Sequence, residues 1–195
     1  QKGSARLLDY GQRVANPKSV VLFIPSLINR YYILDLEEER SFLRYLASQG
    51  IYPLVLDWGA PSVTEKDFGC GDYITEILSP AIDFIARISA QPIALAGYCM
   101  GGVLALAAAK LKRSKISSLA LFATPWDFHC SEFAPFVLEK KWQQEMVKQI
   151  SNHETLPAGF IQSLFYLTDP FIFEQKFRRY FNLDPSSRAA KDFVA

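Results

Sequence analysis

The chain has 195 residues, 50% hydrophobic and 21% charged, which is enough apolar surface for a domain with a real core and excludes a disordered segment. Its formal net charge is only +1, with acidic and basic residues interspersed, so a phosphate-tracking surface, and with it nucleic acid as a partner, is not expected. Cys70, Cys99 and Cys130 lie far apart without CxxC spacing, which argues against a disulfide framework or a zinc site and fits a reducing compartment. No run of about 18 uncharged apolar residues occurs, and the opening QKGSARLLDYGQRV lacks the apolar core of a signal peptide; the expectation is a cytoplasmic protein with no transmembrane segment.

In chain order, Ser19 to Ile24 reads as a first buried strand, a continuous apolar run rich in β-formers. Glu37 to Gln49 follows as a helix with Phe42, Tyr45 and Leu46 on one stripe and Gly50 as its stop. Pro53 to Trp58 is the second strand. A helix from near Asp72 to about Ile88 places Ile74, Ile77, Leu78, Ala81, Ile82 and Ile85 at helical spacing, with a kink expected at Pro80. Pro92 to Tyr98 is the third strand, and Met100 to Leu111 a helix so apolar that burial is expected. Leu119 to Thr124 is the fourth strand.

Strands alternating with helices predict an α/β fold, a parallel sheet wound by right-handed crossovers. After Thr124 the alternation stops, and Pro135, Pro157, Pro170 and Pro185 punctuate helical or irregular segments. The expected organisation is a sheet core over residues 1–125 and a helical cap or lid over 126–195, lying above the strand ends. Aromatic residues crowd this last part, in FAPFVL, FIQSLFYL and FIFEQKFRRYF, a surface suited to docking an apolar object.

The chemistry centres on Gly97-Tyr98-Cys99-Met100-Gly101-Gly102, which follows a strand and opens a helix. That is the setting of a nucleophile elbow, a turn so sharp that side chains two before and two after the nucleophile would clash, hence Gly97 and Gly101. Cys99 is the candidate nucleophile, and the Met100 amide at the helix N-terminus the candidate oxyanion donor. A cysteine gives a thioester intermediate, suited to exchanging acyl groups with another thiol ester. The competing reading is a small residue in a glycine-rich turn of the kind that binds dinucleotide phosphate, but the G-x-G-x-x-G spacing of such a site is missing. Pro25-Ser26-Leu27-Ile28-Asn29-Arg30 lies just past the first strand, where this kind of fold supplies its second oxyanion amide; Leu27 or Ile28 would offer it. Asp57 and Trp58 read as structural residues at the sheet edge, and Cys70 and Cys130 as incidental.

Four strings in register, PSLINRYYILDL (25–36), Asp57-Trp58-Gly59, GYCMGG (97–102) and Thr124-Pro125-x-Asp127-Phe128, cover most of residues 5–130. Together they resemble the polyhydroxyalkanoate (poly-β-hydroxybutyrate) synthases, in the first part of their α/β-hydrolase-type catalytic domain. The later region, including DPSSRAAKDFVA, is similar more loosely. The resemblance implies an acyltransferase that loads (R)-3-hydroxyacyl groups from coenzyme A onto Cys99 and links them into a polyester. It also implies Met100 as oxyanion amide, no metal or organic cofactor, and coenzyme A only as part of the substrate. Hydroxyacyl-coenzyme A and the polyester chain are the implied partners, a homodimer or a second subunit is left open, and association with polyester granules is expected.

In that family the catalytic Asp and His follow two further strands, in the order nucleophile, acid, base, and this sequence ends before them. The sheet is accordingly expected to end on an exposed edge. His129 and His153 are the only histidines; neither they nor Asp127 fall at the positions of the family's catalytic His and Asp, although Asp127 at a strand end stands where some enzymes of this fold place the acid. Two other functions therefore stand beside the synthase: a thioesterase or depolymerase with the same elbow, or a catalytically inactive fragment that acts by binding at granules. A general base contributes roughly a hundredfold to ten-thousandfold, so the 195-residue chain is expected to release at most about one equivalent of coenzyme A and to make no polymer.

Overall fold

The computed structural model describes residues 3–127, 139–153, 157, 159–163 and 171–194. A strand outside the four expected ones opens the sheet: β1 (Arg6–Asp9) pairs antiparallel with β3 (Ile51–Asp57), Arg6 opposite Asp57. The four remaining strands, β2 (Ser19–Ile24), β3, β4 (Ile93–Tyr98) and β5 (Ile116–Phe122), are parallel, in the spatial order β1-β3-β2-β4-β5. The four expected strands are thus parallel, and β1 adds an antiparallel strand at one edge. RLLD is too short to show a period; its pairing rests on a distant partner, the buried Asp57 carboxylate, which accepts from the Arg6 guanidinium at 2.7 Å.

The crossovers from β2 to β3 and from β3 to β4 run to opposite sides of β2. The order therefore reverses between β2 and β4, whose ends meet with Ile24 opposite Gly97. A crevice outside the carboxyl ends of two such strands is where open α/β sheets place their ligands.

Helices cover both faces. On one, α1 (Phe42–Ser48) lays Leu43 on Phe23, Val55 and Ala96. This helix starts five residues later than expected, because the Ser41 hydroxyl caps it by accepting the Arg44 N–H at 3.0 Å. Its buried side is Leu43 with half-buried Leu46; Phe42 and Tyr45 are 41% and 59% exposed, which corrects the expected stripe.

On the other face a turn at Cys70–Asp72 runs into a π-helical segment, Tyr73–Leu78, and then into α2 (Ser79–Ser89). Pro80 lies in the first turn of α2, where a missing N–H costs nothing, so the change of helix type takes the place of the expected kink. The π form is rare within helices. Its register nevertheless sets Ile77, Leu78, Ile82 and Ile85 against the sheet, all buried, and each contributes roughly 1.5–3 kcal/mol. Burial wins.

The next helix, α3 (Met100–Leu111), buries Leu104, Ala105 and Ala108 but leaves Leu111 exposed. Strand β5 begins three residues before the expected Leu119 and ends at Phe122, where Ala123 turns to φ 47°. It is not a buried strand: Leu121 and Phe122 are each 44% exposed, because β4 is its one partner among the described residues.

The chain divides into two compact units, Gln1–Trp126 and Asp127–Ala195. The described part of the second is helical: α4 (Lys140–His153), a short stretch at 159–163, α5 (Ile172–Phe181) and α6 (Arg188–Val194). Phe193 of α6 stacks on Tyr180 of α5 at 4.6 Å and meets Phe177 edge-on at 5.6 Å.

Candidate active site

Cys99 stands between β4 and α3 with φ 52° and ψ −127°. For a residue with a Cβ such a conformation costs on the order of 1–3 kcal/mol and persists only where its surroundings over-determine it. Three glycines do so. A methyl group on Gly97 would run into the Gly102 backbone and come within 2.9 Å of the Ala105 Cβ; on Gly101 it would strike the carbonyls of Ile24 and Pro25; on Gly102 it would strike the Thr124 side chain. The turn closes because strand, helix and the loop after β2 approach to backbone distance.

Hydrogen bonds then fix the tip. The Cys99 N–H donates to the Phe122 carbonyl at 2.8 Å and its carbonyl accepts from the Gly102 N–H at 2.9 Å. Met100 occupies the first position of α3, where an N–H has no acceptor within its helix. Cys99 itself is half-buried.

The loop after β2 supplies the facing backbone. Ser26 is buried, and its Oγ accepts the Ile28 N–H at 3.1 Å. Ile28's amide is therefore engaged, whereas the Leu27 N–H has no acceptor among the described residues. One turn further back, the Pro25 carbonyl accepts the indole N–H of Trp58 at 3.0 Å in buried surroundings.

Asp57 and Trp58 are tied down on all sides. Asp57 accepts from Arg6 and, at 3.0 Å, from the Gly59 N–H. The Trp58 carbonyl accepts the Ser4 hydroxyl at 2.8 Å, while Ser4 Oγ also lies 2.8 Å from the Glu65 carboxylate. Glu65 accepts from the Ser4 N–H and, at 2.7 Å, from the Ser62 N–H. Burial alone would raise the Glu65 carboxyl; the hydrogen bonds from Ser62 and Ser4 outweigh it and hold the group below its ordinary value.

This strand-turn-helix geometry is shared with known proteins. A family model described as the alpha/beta hydrolase fold matches residues 19–189. The chain belongs to that family. Among curated proteins, it is 33% identical over 176 residues to the poly(3-hydroxyalkanoate) polymerase subunit PhaC of Haloferax mediterranei, covering 87% of this chain and 35% of that protein. To the same-named subunit of Synechocystis it is 36% identical over 117 residues, 59% of this chain and 31% of that protein. The chain thus spans about a third of the length of these relatives. Among solved structures, the mature lipase BlEst2 of Bacillus licheniformis superposes with a TM-score of 0.53 at 18% identity, over 87% of this chain and 66% of that one. A thioesterase domain from the curacin biosynthetic pathway gives 0.52 at 19%, over 78% and 49%. These two share the fold. The resemblance read from the four motifs is found again across most of the chain.

Within this hydrolase-fold chain the first unit gathers the ends of β2 to β5, so Gly97, Cys99, Met100, Gly101 and the Leu27 loop are brought to one sheet edge. Asp127 is exposed at the start of the second unit. His153 closes α4 in that unit, and His129 and Cys130 lie outside the described residues, as do the aromatic runs at 133–138 and 164–167. Cys70 is exposed in the turn before the π segment. Sequence reasoning missed Gly102 against Thr124 and the anchoring of Cys99 on Phe122; the last G of GYCMGG was the available signal for the first. Among the described residues no group of three or more His, Cys, Asp or Glu could hold a metal ion, and no helix is long and apolar enough to cross a membrane.

Proposed function

We propose that the chain carries the nucleophile of a polyhydroxyalkanoate synthase-type acyltransferase. The observation that carries the reading is Cys99 held at φ 52° at the tip of a strand-turn-helix whose glycines admit nothing larger. The polymerase relatives support it by likeness. In this reading the Cys99 thiolate attacks the carbonyl carbon of an (R)-3-hydroxyacyl-coenzyme A. The oxyanion that forms is met by the N–H groups of Met100 and Leu27. On its collapse the bond to the coenzyme A sulfur breaks, that thiolate leaves and takes up a proton, and the acyl group remains on Cys99 as a thioester. The hydroxyl of a growing chain then attacks the thioester, loses its proton and regenerates the Cys99 thiolate. No metal or organic cofactor enters the reading. Its partners are the hydroxyacyl-coenzyme A and the polyester, at the surface of cytoplasmic granules.

The test is incubation with (R)-3-hydroxybutyryl-coenzyme A, following thiol release and the mass of the Cys99 peptide. The expected result is one hydroxybutyryl group on Cys99 with one equivalent of coenzyme A released, and neither in Cys99→Ala. Acylation that survives in that variant overturns the reading. Rapid loss of the acyl group to water would make the chain a hydrolase.

A further inference from the structure

We infer that Trp58 and Ser26 are positioning residues for acyl transfer: they hold the loop after β2 so that Leu27 offers its free N–H. The inference rests on the reading under Proposed function and names the part of the site that sequence motifs leave unassigned.

Trp58 is a large buried side chain in the segment after β3, yet its one polar atom reaches across to the neighbouring strand's loop and donates to the Pro25 carbonyl at 3.0 Å. Its ring has little freedom. Tyr73 meets it edge-on at 5.6 Å, and Phe68 in turn meets Tyr73 edge-on at 5.5 Å. The Ser4 hydroxyl holds the backbone of Trp58 from the other side. The Pro25 carbonyl is also one of the two groups against which Gly101 packs without room for a methyl. One peptide plane therefore sets both the spacing of loop from elbow and the start of the segment that carries Leu27.

Ser26 completes the arrangement. Its buried Oγ accepts the Ile28 N–H, closing a tight side-chain turn around Leu27. With Ile28 engaged and the Pro25 carbonyl pinned, Leu27 is the one of the two adjacent candidate amides whose N–H is left to a ligand. An oxyanion donor acts through its fixed position, and a displacement of about 1 Å can cost roughly a hundredfold. Trp58→Phe keeps the ring and removes the N–H; Ser26→Ala keeps the volume and frees the Ile28 N–H.

The experiment compares two reactions of Cys99 in the full chain. Acylation by (R)-3-hydroxybutyryl-coenzyme A develops an oxyanion; alkylation by iodoacetamide, a displacement at a saturated carbon, develops none. In both variants acylation at saturating thioester is expected to slow by about tenfold to a hundredfold, with half-saturation and alkylation unchanged within about twofold. Acylation at the unaltered rate overturns the inference. A parallel fall of acylation and alkylation also overturns it, because it marks a merely structural loss. Should Trp58→Phe not fold, as judged by its melting curve, Ser26→Ala decides alone. An unaltered chain that is not acylated at all would remove the acyl-transfer reading and this inference with it; normal acylation in the variants removes this inference only.

Discussion

Cys99 and Cys70 offer a comparison that separates access from reactivity. Cys70 is exposed and Cys99 half-buried, so if solvent contact alone governed alkylation, Cys70 would react first. A thiol beside the N-terminus of a twelve-residue helix is expected to reverse that order. With limiting iodoacetamide, peptide mass spectrometry should find Cys99 labelled several-fold ahead of both Cys70 and Cys130; labelling of Cys70 well ahead would count against a primed nucleophile. At this scale the sequence was informative wherever chemistry and spacing coincide. Gly97, Cys99, Met100 and Gly101 lie at the turn from β4 into α3. That the Ile28 N–H is taken within the loop was not legible, because it depends on the Ser26 hydroxyl turning back onto its own loop, and no pattern of residue types encodes that rotation. Gly102 escaped for a related reason: Thr124, the side chain it must clear, lies on a different strand end.

Elements were legible in proportion to how local their causes are. The bounds of β2 and α3 agree with the apolar runs that define them, whereas β1 depends on Asp57, about fifty residues away, and the π segment on how Ile77 and Leu78 meet the sheet. The segment after β3 shows what such distant ties are worth. Glu65 closes a capping box with Ser62 and at the same time holds Ser4 beside β1. Its carboxyl is held below the ordinary value of 4.5, so the unfolded chain takes up a proton at a higher pH than the folded one does. The stabilisation is fully present above about pH 4.5 and is lost as pH falls through the lower folded value. Glu65→Gln is expected to cost about 1–3 kcal/mol at neutral pH, since buried donors then face an amide. Urea titrations from pH 7 to pH 3 should show the difference from the unaltered chain shrinking on the acid side; a constant difference would mean that charge plays no part.

For the whole molecule, the sheet's two edges are unlike. One is finished by the short antiparallel β1. At the other, β5 has no strand on its outer side among the described residues, and Leu121 and Phe122 stand exposed on it. An open, apolar edge invites pairing with a second copy. The chain is expected to self-associate as its concentration rises, and Leu121→Lys to weaken that association by about tenfold in sedimentation experiments, with stability changed by no more than about 0.5 kcal/mol as for an ordinary surface substitution. Association unaffected by Leu121→Lys would place the contact elsewhere. The overall α/β architecture was legible because alternation of strand and helix is a property of the entire chain. The exposure of β5 was not visible in ISSLALF itself, since burial belongs to the neighbour and not to the strand.

The bond from the Cys99 N–H to the Phe122 carbonyl gives this edge a second meaning. It moors Cys99 to an edge strand that has no partner on its outer side among the described residues, so the tip of the elbow depends on that strand's grip. Whatever frays β5 slackens the turn at Cys99, and whatever caps β5 steadies it, without either touching the sulfur.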